Sequence, residues 1–374
     1  MLNILPRVIF PREMVIKKGS LIRLKFLDGK KALIICGSQS FEKYGYLEKL
    51  ENYLAASKIE IVAIKRVIKD PTEDSINLIM NQLKDLNADW IIGVGGGAVM
   101  DTAKLIYALY ENQNIPLSDF KKPHSVPELR KKAKLCLIPT TAGSGSEVSN
   151  SAVVTVNNKK NPVISNHFIP DIAILDPNLT ISLPPKITAH TSIDAFTHGI
   201  ESYCSSLNNA LTNSYSIAGA KLIIENLEEV IASPSNIIAR EKLMYGSMLT
   251  GLAQSMTSVG GVHAMSHSLA SEIELSHGNL NAIFLIPMLK FNMQESPRIE
   301  EFIQQIGLGE IERLEEWISR ISENTKMVKK WGAYGKEINM NEASQATLED
   351  ICARTNPRKL TLEGVKSILE MTFQ

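Results

Sequence analysis

The hydrophobic period of this chain changes part-way along, and that change limits the folds open to it. Up to about residue 183, short β-rich runs alternate with longer amphipathic ones. KALIICG (31–37) is followed by SFEKYGYLEKLENYLAAS at helical spacing, then by the alternating IEIVAIKRV (59–67). KDPTEDS comes next, with Asp74 or Ser75 placed to cap a helix over INLIMNQLKDL. DWIIGV (89–94), AKLCLIPTT and DIAILDP read as buried strands, and SAVVTVNNKKNPVIS reads as a hairpin turning at NNKK. Strands alternating with helices imply a mainly parallel sheet covered on both faces. After DPNLTISLPPK (176–186), where Pro184 and Pro185 mark a boundary, apolar residues recur at three and four and strand runs nearly vanish. The expectation is an α/β nucleotide-binding domain over 1–183 and an all-helical domain over 184–374.

A chain of 374 residues is long enough for two such domains and a large core. Lys plus Arg equals Asp plus Glu at 40 each, which removes the usual electrostatic argument for a nucleic-acid or anionic-membrane partner. Cys36, Cys136, Cys204 and Cys352 are widely spaced with no CxxC, as in a reduced, cytoplasmic protein. The opening MLNILPRVIFPREMVIKKGS is broken by prolines and charges and lacks a signal peptide's apolar run.

Two loops carry the first chemical signal. In DWIIGVGGGAVMDTAKLIYALY a buried strand runs into Gly95, Gly96 and Gly97 before a helix starts. Glycines let backbone approach a ligand, and a helix N-terminus favours a pyrophosphate. Asp101 and Lys104 follow in the first turns; Lys104 is placed either to reach a phosphate or to pair with an acid. The spacing is neither GxGxxG nor a Walker A, so this loop alone is equally read as a tight strand–helix turn. IPTTAGSGSEVSNS adds Thr140, Thr141, Ser144 and Ser146 after another buried strand. Strand C-terminal ends are where open α/β sheets bind ligands, so the two loops together point to a nucleotide.

Four of the seven histidines fall in two short windows. SIDAFTHGIE places Asp194 and His198 four apart, and GGVHAMSHSLASEIELSHGNLN holds His263, His267 and His277. Residues four apart share a helix face. Three imidazoles and one carboxylate, with no thiolate, suit Fe²⁺ or Zn²⁺ with a position left open for a substrate oxygen. A single HxxxH arises often by chance; it is the combination with the nucleotide loops that favours a metal site. His124, His167 and His190 are given no role.

At this point the sequence resembles the iron-containing, or group III metal-dependent, alcohol dehydrogenases. GVGGGAVMDTAK, IPTTAGSGSEVS, SIDAFTHGIESY, GGVHAMSHSL, SHGNLNAIFLIP and TNPRKLTLEGV match in the family's order over nearly the whole chain. The resemblance implies a dehydroquinate synthase-like fold with the active site in the cleft between an α/β and a helical domain. It implies Asp194, His198, His263 and His277 as metal ligands and His267 as a residue close to the nicotinamide. It further implies that Gly95, Gly96 and Gly97 form the pyrophosphate site, that Thr140, Thr141 and Ser144 surround the cofactor, and that Asp101 stands near the phosphate loop. Leu179 and Leu183 are expected along the cofactor cleft. A divalent cation would make an alcohol proton easier to remove and polarise a carbonyl, while the nicotinamide carries the hydride. A homodimer is usual for such a family.

The sequence departs from the family pattern in three places. Many NAD-dependent members carry an aspartate after the first strand for the adenosine ribose; here Gly37 stands at about that position, with Ser38 and Ser40 after it. A carboxylate would repel a 2′-phosphate and a glycine with hydroxyls would accept one, so NADP(H) is expected over NAD(H). Asn150, Ser151, Gln254 and Ser255 make the expected pocket more polar than is usual, which points to a small, oxygenated alcohol or carbonyl. Met288 stands where many relatives have histidine. Two other readings accompany the dehydrogenase: a lyase using metal and NAD without net redox, and an inactive metal- or nucleotide-binding homologue.

Overall fold

The computed structural model describes residues 8–37, 40–67, 70–83, 86–122, 124–157, 159–270, 272–334 and 338–373. Contacts divide the chain into two compact units. One holds Ile9–Thr141 and Ser146–Ser182; the other holds Leu183–Gln374 together with Met1–Val8 and Ala142–Gly145.

The first unit contains the strands β1 (Glu13–Ile16), β2 (Lys31–Cys36), β3 (Glu60–Arg66), β4 (Trp90–Gly95), β5 (Lys134–Pro139), β6 (Ser151–Val156), β7 (Lys159–Ile164) and β8 (Ile172–Leu175). Its helices are α1 (Ser40–Lys43), α2 (Tyr46–Ala56), α3 (Glu73–Asn81) and α4 (Gly97–Glu111). Six strands form one parallel sheet in the order β1-β8-β5-β4-β2-β3, and β6 and β7 form an antiparallel hairpin. Alternate residues of the central strands enter separate cores on the two faces. Leu33, Ile35, Ile91, Leu135 and Leu137 pack with α4, whereas Ile34, Ile92, Val94, Cys136 and Ile138 pack with α2. This two-sided burial is why these strands read as unbroken apolar runs.

Three local details depart from the sequence reading. The 40–57 segment is broken at Gly45, whose φ of 70° belongs to the left-handed region. The cap of α3 is Thr72, in a reciprocal box with Ser75, rather than Asp74 or Ser75 alone. β1 precedes KALIICG and adds an edge to the sheet.

The described elements of the second unit are all helices: α5 (Pro185–Cys204), α6 (Ala210–Ala232), α7 (Ile237–Thr257), α8 (Gly261–Leu269), α9 (His277–Met293), α10 (Arg298–Gln305), α11 (Ile311–Thr325), α12 (Met340–Glu349) and α13 (Leu362–Phe373), with short 3₁₀ turns. Pro184 and Pro185 open α5, where the missing proline N–H costs nothing. Phe196 packs edge to ring with Phe302 and tilted against Trp317 in its core. No described helix is long and apolar enough to cross a membrane. All four cysteines are buried and unbridged.

Candidate active site

In the first unit, the sequence-predicted loops leave the C-terminal ends of neighbouring strands. Gly37 follows β2, Gly95–Gly97 follow β4, and Thr140 and Thr141 follow β5. Backbone bonds tie these ends together: Gly37 N donates to Val94 O at 3.2 Å and Thr140 N to Gly95 O at 2.9 Å. Gly95 has to be glycine, because a Cβ there would stand 2.5 Å from Val99. Gly96 caps α4 without a side chain, so the first N–H groups of that helix meet no side-chain cap. A Cβ on Gly37 would make only ordinary contact with Val99, at 3.6 Å. Ser38 lies outside the described residues. Leu179 is 2% exposed and packed in the core beside α2, so its side chain supports the sheet rather than lining a surface.

Asp101 and Lys104 turn inward. The Asp101 carboxylate accepts from Ser146 Oγ at 2.7 Å and from Val153 N at 3.0 Å. The Lys104 ammonium donates to Ser149 O, Ser149 Oγ and Ser151 O at 3.0, 3.1 and 2.7 Å. Lys104 is fully buried and its hydrogen bonds go to backbone and hydroxyl oxygens, while Asp101 and Glu147 lie near enough to favour its charge without a direct hydrogen bond. Burial lowers Lys104 to about 8, and burial raises the neighbouring Glu147 to about 7. These buried groups lock α4 to the residues after the second loop.

The second unit brings the four candidate metal ligands together. Asp194 and His198 share a face of α5, His263 lies in the first turn of α8, and His277 is the first residue of α9. Around Asp194 Oδ1 stand His263 Nε2 at 3.4 Å, His277 Nε2 at 3.5 Å and His198 Nε2 at 3.7 Å. Ligand atoms placed tetrahedrally at ~2.1 Å from one ion are separated by about 3.4 Å. Asp194, His263 and His277, whose donor atoms all lie within 4.8 Å of one another, suit a small divalent cation, and His198 stands beside Asp194 but outside that mutual set. The fit has a counterpart in the protein itself. Asn281, one turn after His277, points its amide nitrogen at the same atoms: 2.7 Å from Asp194 Oδ1 and 3.4 Å from the Nε2 of both His263 and His277.

Electrostatics follow from this crowding. Burial pushes the Asp194 carboxyl up, but the surrounding His198, His263 and His277 outweigh it and hold it well below the usual range. Burial lowers His198 to about 4. Burial also opposes charge on His263, but Asp194 and Glu201 prevail and raise it to about 9. His267 lies beside the cluster, its ring stacked on His277 at 5.3 Å between centroids. Its Nδ1 donates to Asp350 Oδ2 at 3.0 Å, and Asp350 is held in turn by Cys352 N at 2.8 Å. That bond leaves His267 Nε2 as the free acceptor of the ring.

Glycines seat these groups. Gly278 passes so close to the His190 carbonyl that a Cβ would overlap it. Ser276, which caps α9, shares a 2.7 Å hydrogen bond with His190 Nδ1. In the second loop, Gly143 lies against Thr191 of α5, and Gly145, at φ 60°, lies against Gly251 of α7. Met288 fills its position by packing its thioether against Gly261.

Residues 8–177 match the family model described as iron-containing alcohol dehydrogenase, and residues 188–373 match its C-terminal family. The chain belongs to the iron-containing alcohol dehydrogenase family. It is an oxidoreductase of that family, and the lyase expectation is not favoured. It is 34% identical to a "NADPH-dependent butanol dehydrogenase" of Clostridium saccharobutylicum over 98% of both chains. It is also 34% identical to a "sulfoacetaldehyde reductase" of Bilophila wadsworthia, over 77% of this chain and 74% of that one. Among solved structures, "1,3-propanediol oxidoreductase" superposes with a TM-score of 0.91 at 27% identity, over 99% of this chain and 100% of that one.

Within this family frame, three residues of the helical unit escaped the sequence reading. Asn281 carried a signal, standing four residues after His277. Glu201, seven residues after Asp194, carried one too. Asp350 carried none, lying 83 residues from the histidine it touches.

Proposed function

We propose that the chain interconverts a small polar alcohol and its carbonyl compound, with Asp194, His198, His263 and His277 holding Fe²⁺ or Zn²⁺ and with NADP(H) preferred over NAD(H). The observation that carries the metal assignment is the convergence of three imidazole Nε2 atoms on Asp194 Oδ1 at 3.4–3.7 Å. Bound there, the cation would act as a Lewis acid toward the substrate oxygen, and the nicotinamide would supply or accept hydride. The chain's own part is positional. Asp194 brings a negative charge, and Asp350 holds His267 through its Nδ1, which turns Nε2 to the other side of the ring. Gly95–Gly97 and the N-terminus of α4 offer backbone N–H groups to the pyrophosphate.

Gly37 supports the NADP(H) preference, together with the relative whose name carries NADPH. The ordinary clearance around a Cβ at Gly37, 3.6 Å from Val99, makes Gly37→Asp a suitable test. The variant should lose NADPH efficiency and shift kcat/KM toward NADH by about tenfold or more, the scale of one well-placed charge. A wild type that already favours NADH would overturn the preference.

Gln254 and Ser255, half-buried near the end of α7, support a polar substrate, as does the likeness to a sulfoacetaldehyde reductase. Asn150 contributes less than its sequence position suggests, because its amide is bonded to Asn166. The deciding assay is absorbance at 340 nm with Fe²⁺-loaded protein, NADPH and a panel of polar and alkyl aldehydes and ketones. NADPH consumption that requires a carbonyl and stops on chelation is expected. Bound metal and cofactor with no turnover of any carbonyl would favour the inactive homologue. His267→Ala should keep its metal and lose turnover; full turnover at every pH would sink the proton-transfer role.

A further inference from the structure

We infer that Glu201 is the positioning residue of this site: it fixes which nitrogen of His263 faces the metal and fastens that ligand's helix to the helix carrying Asp194 and His198. The inference rests on the metal reading proposed above. Asp194, His198 and Glu201 fall at i, i+4 and i+7 on α5, and so along one face. Glu201 is 5% exposed and uses both carboxylate oxygens on one short stretch of chain. Oε2 accepts from Gly260 N at 2.9 Å and from His263 Nδ1 at 2.6 Å, and Oε1 accepts from Val262 N at 2.7 Å.

Two physical consequences follow. The N-cap of α8 is Gly260, which has no side chain to satisfy the first N–H groups, and Glu201 supplies that cap from another helix. Its third bond holds the proton of His263 on Nδ1. A ring that binds a cation is neutral, with one protonated and one lone-pair nitrogen, so with the proton held on Nδ1 the Nε2 lone pair is the one turned to the cluster, 3.4 Å from Asp194 Oδ1. The carboxylate also makes the imidazole a stronger electron donor. One side chain thereby sets both the place and the tautomer of His263.

Glu201→Gln keeps the shape and breaks the logic. Three donors face this carboxylate, and an amide has one acceptor oxygen, so its NH₂ must confront either Val262 N–H or the pair formed by Gly260 N–H and His263 Nδ1–H. In competition with a chromophoric chelator, the variant should bind Zn²⁺ about 10–100-fold more weakly than wild type, the usual effect of removing an outer-sphere partner. Its circular dichroism should be unchanged. Glu201→Gln with wild-type affinity overturns the inference and leaves the metal reading standing. Wild-type protein whose Zn²⁺ binding is no tighter than that of Asp194→Ala overturns the metal reading itself.

A measurement on unmutated protein guards against a variant that does not fold. In Zn²⁺-loaded, ¹⁵N-histidine-labelled wild type, His263 should show a hydrogen-bonded proton on Nδ1 and metal coordination through Nε2. Coordination through Nδ1, or no proton there, overturns the inference. Simple mechanical support of the fold would not dictate that signature.

Discussion

The metal-ligand cluster sets opposing demands on single side chains, and these demands define how the metal-free protein responds to pH. His263 is raised to about 9 by Asp194 and Glu201 against the effect of burial, so its favourable pairing is complete below 6.5 and is lost as pH rises through 9. His198 is lowered to about 4 by burial. The unfolded chain therefore protonates at His198 first, and stability declines as pH falls from 6.5 through 4. Thermal melts in EDTA should show a maximum near pH 6.5 with loss on both sides; a monotonic profile would contradict the assignment of charge within the cluster. Much of this cluster was legible in the sequence, because i, i+4 spacing puts Asp194 with His198 on one helix face. The spacing says nothing of the groups that orient ligands through space. Glu201 reaches His263 across 62 positions and Asp350 reaches His267 across 83.

Among the elements, α4 shows why a residue's place in a motif does not give its direction. Its N-terminal glycines were readable as a turn that leaves a helix end open. Lys104, one turn after Asp101, points away from that end and spends its three hydrogen bonds on the 149–151 segment. Lys104→Met should leave two buried carbonyls and a hydroxyl without their donor and Asp101 and Glu147 without a nearby cation. A loss of about 3 kcal/mol in unfolding free energy is expected, measured by urea denaturation. Cofactor affinity should fall as a secondary effect of the loosened loop. Affinity lost with stability intact would return Lys104 to the phosphate. The strands of the sheet were legible because both faces are buried. β1 was not, since four residues behind Pro11 and Arg12 carry too little pattern to stand out. The cap of α3 was misplaced by two or three residues because Thr72, Asp74 and Ser75 all have capping side chains, and only the backbone conformation chooses among them.

Across the whole molecule, the switch of hydrophobic period at Pro184 and Pro185 was the most informative feature of the sequence, and it describes the change from sheet to helices. It does not describe the grouping of contacts, because Ala142–Gly145 belongs with the helical unit. A glycine pressed on Thr191 and another pressed on Gly251 are invisible to any periodicity. A chimera that joins residues 183–374 to the first half of a relative should therefore melt below both parents unless 142–145 travel with them; restoring the four residues should recover most of the loss. Equal melting temperatures with either version of the loop would show that the patch is interchangeable. The helical unit is thus built from more than one stretch of the chain. Recombination at the proline pair would carry away every candidate metal ligand intact and still leave behind Ala142–Gly145, the four residues that pack with α5 and α7.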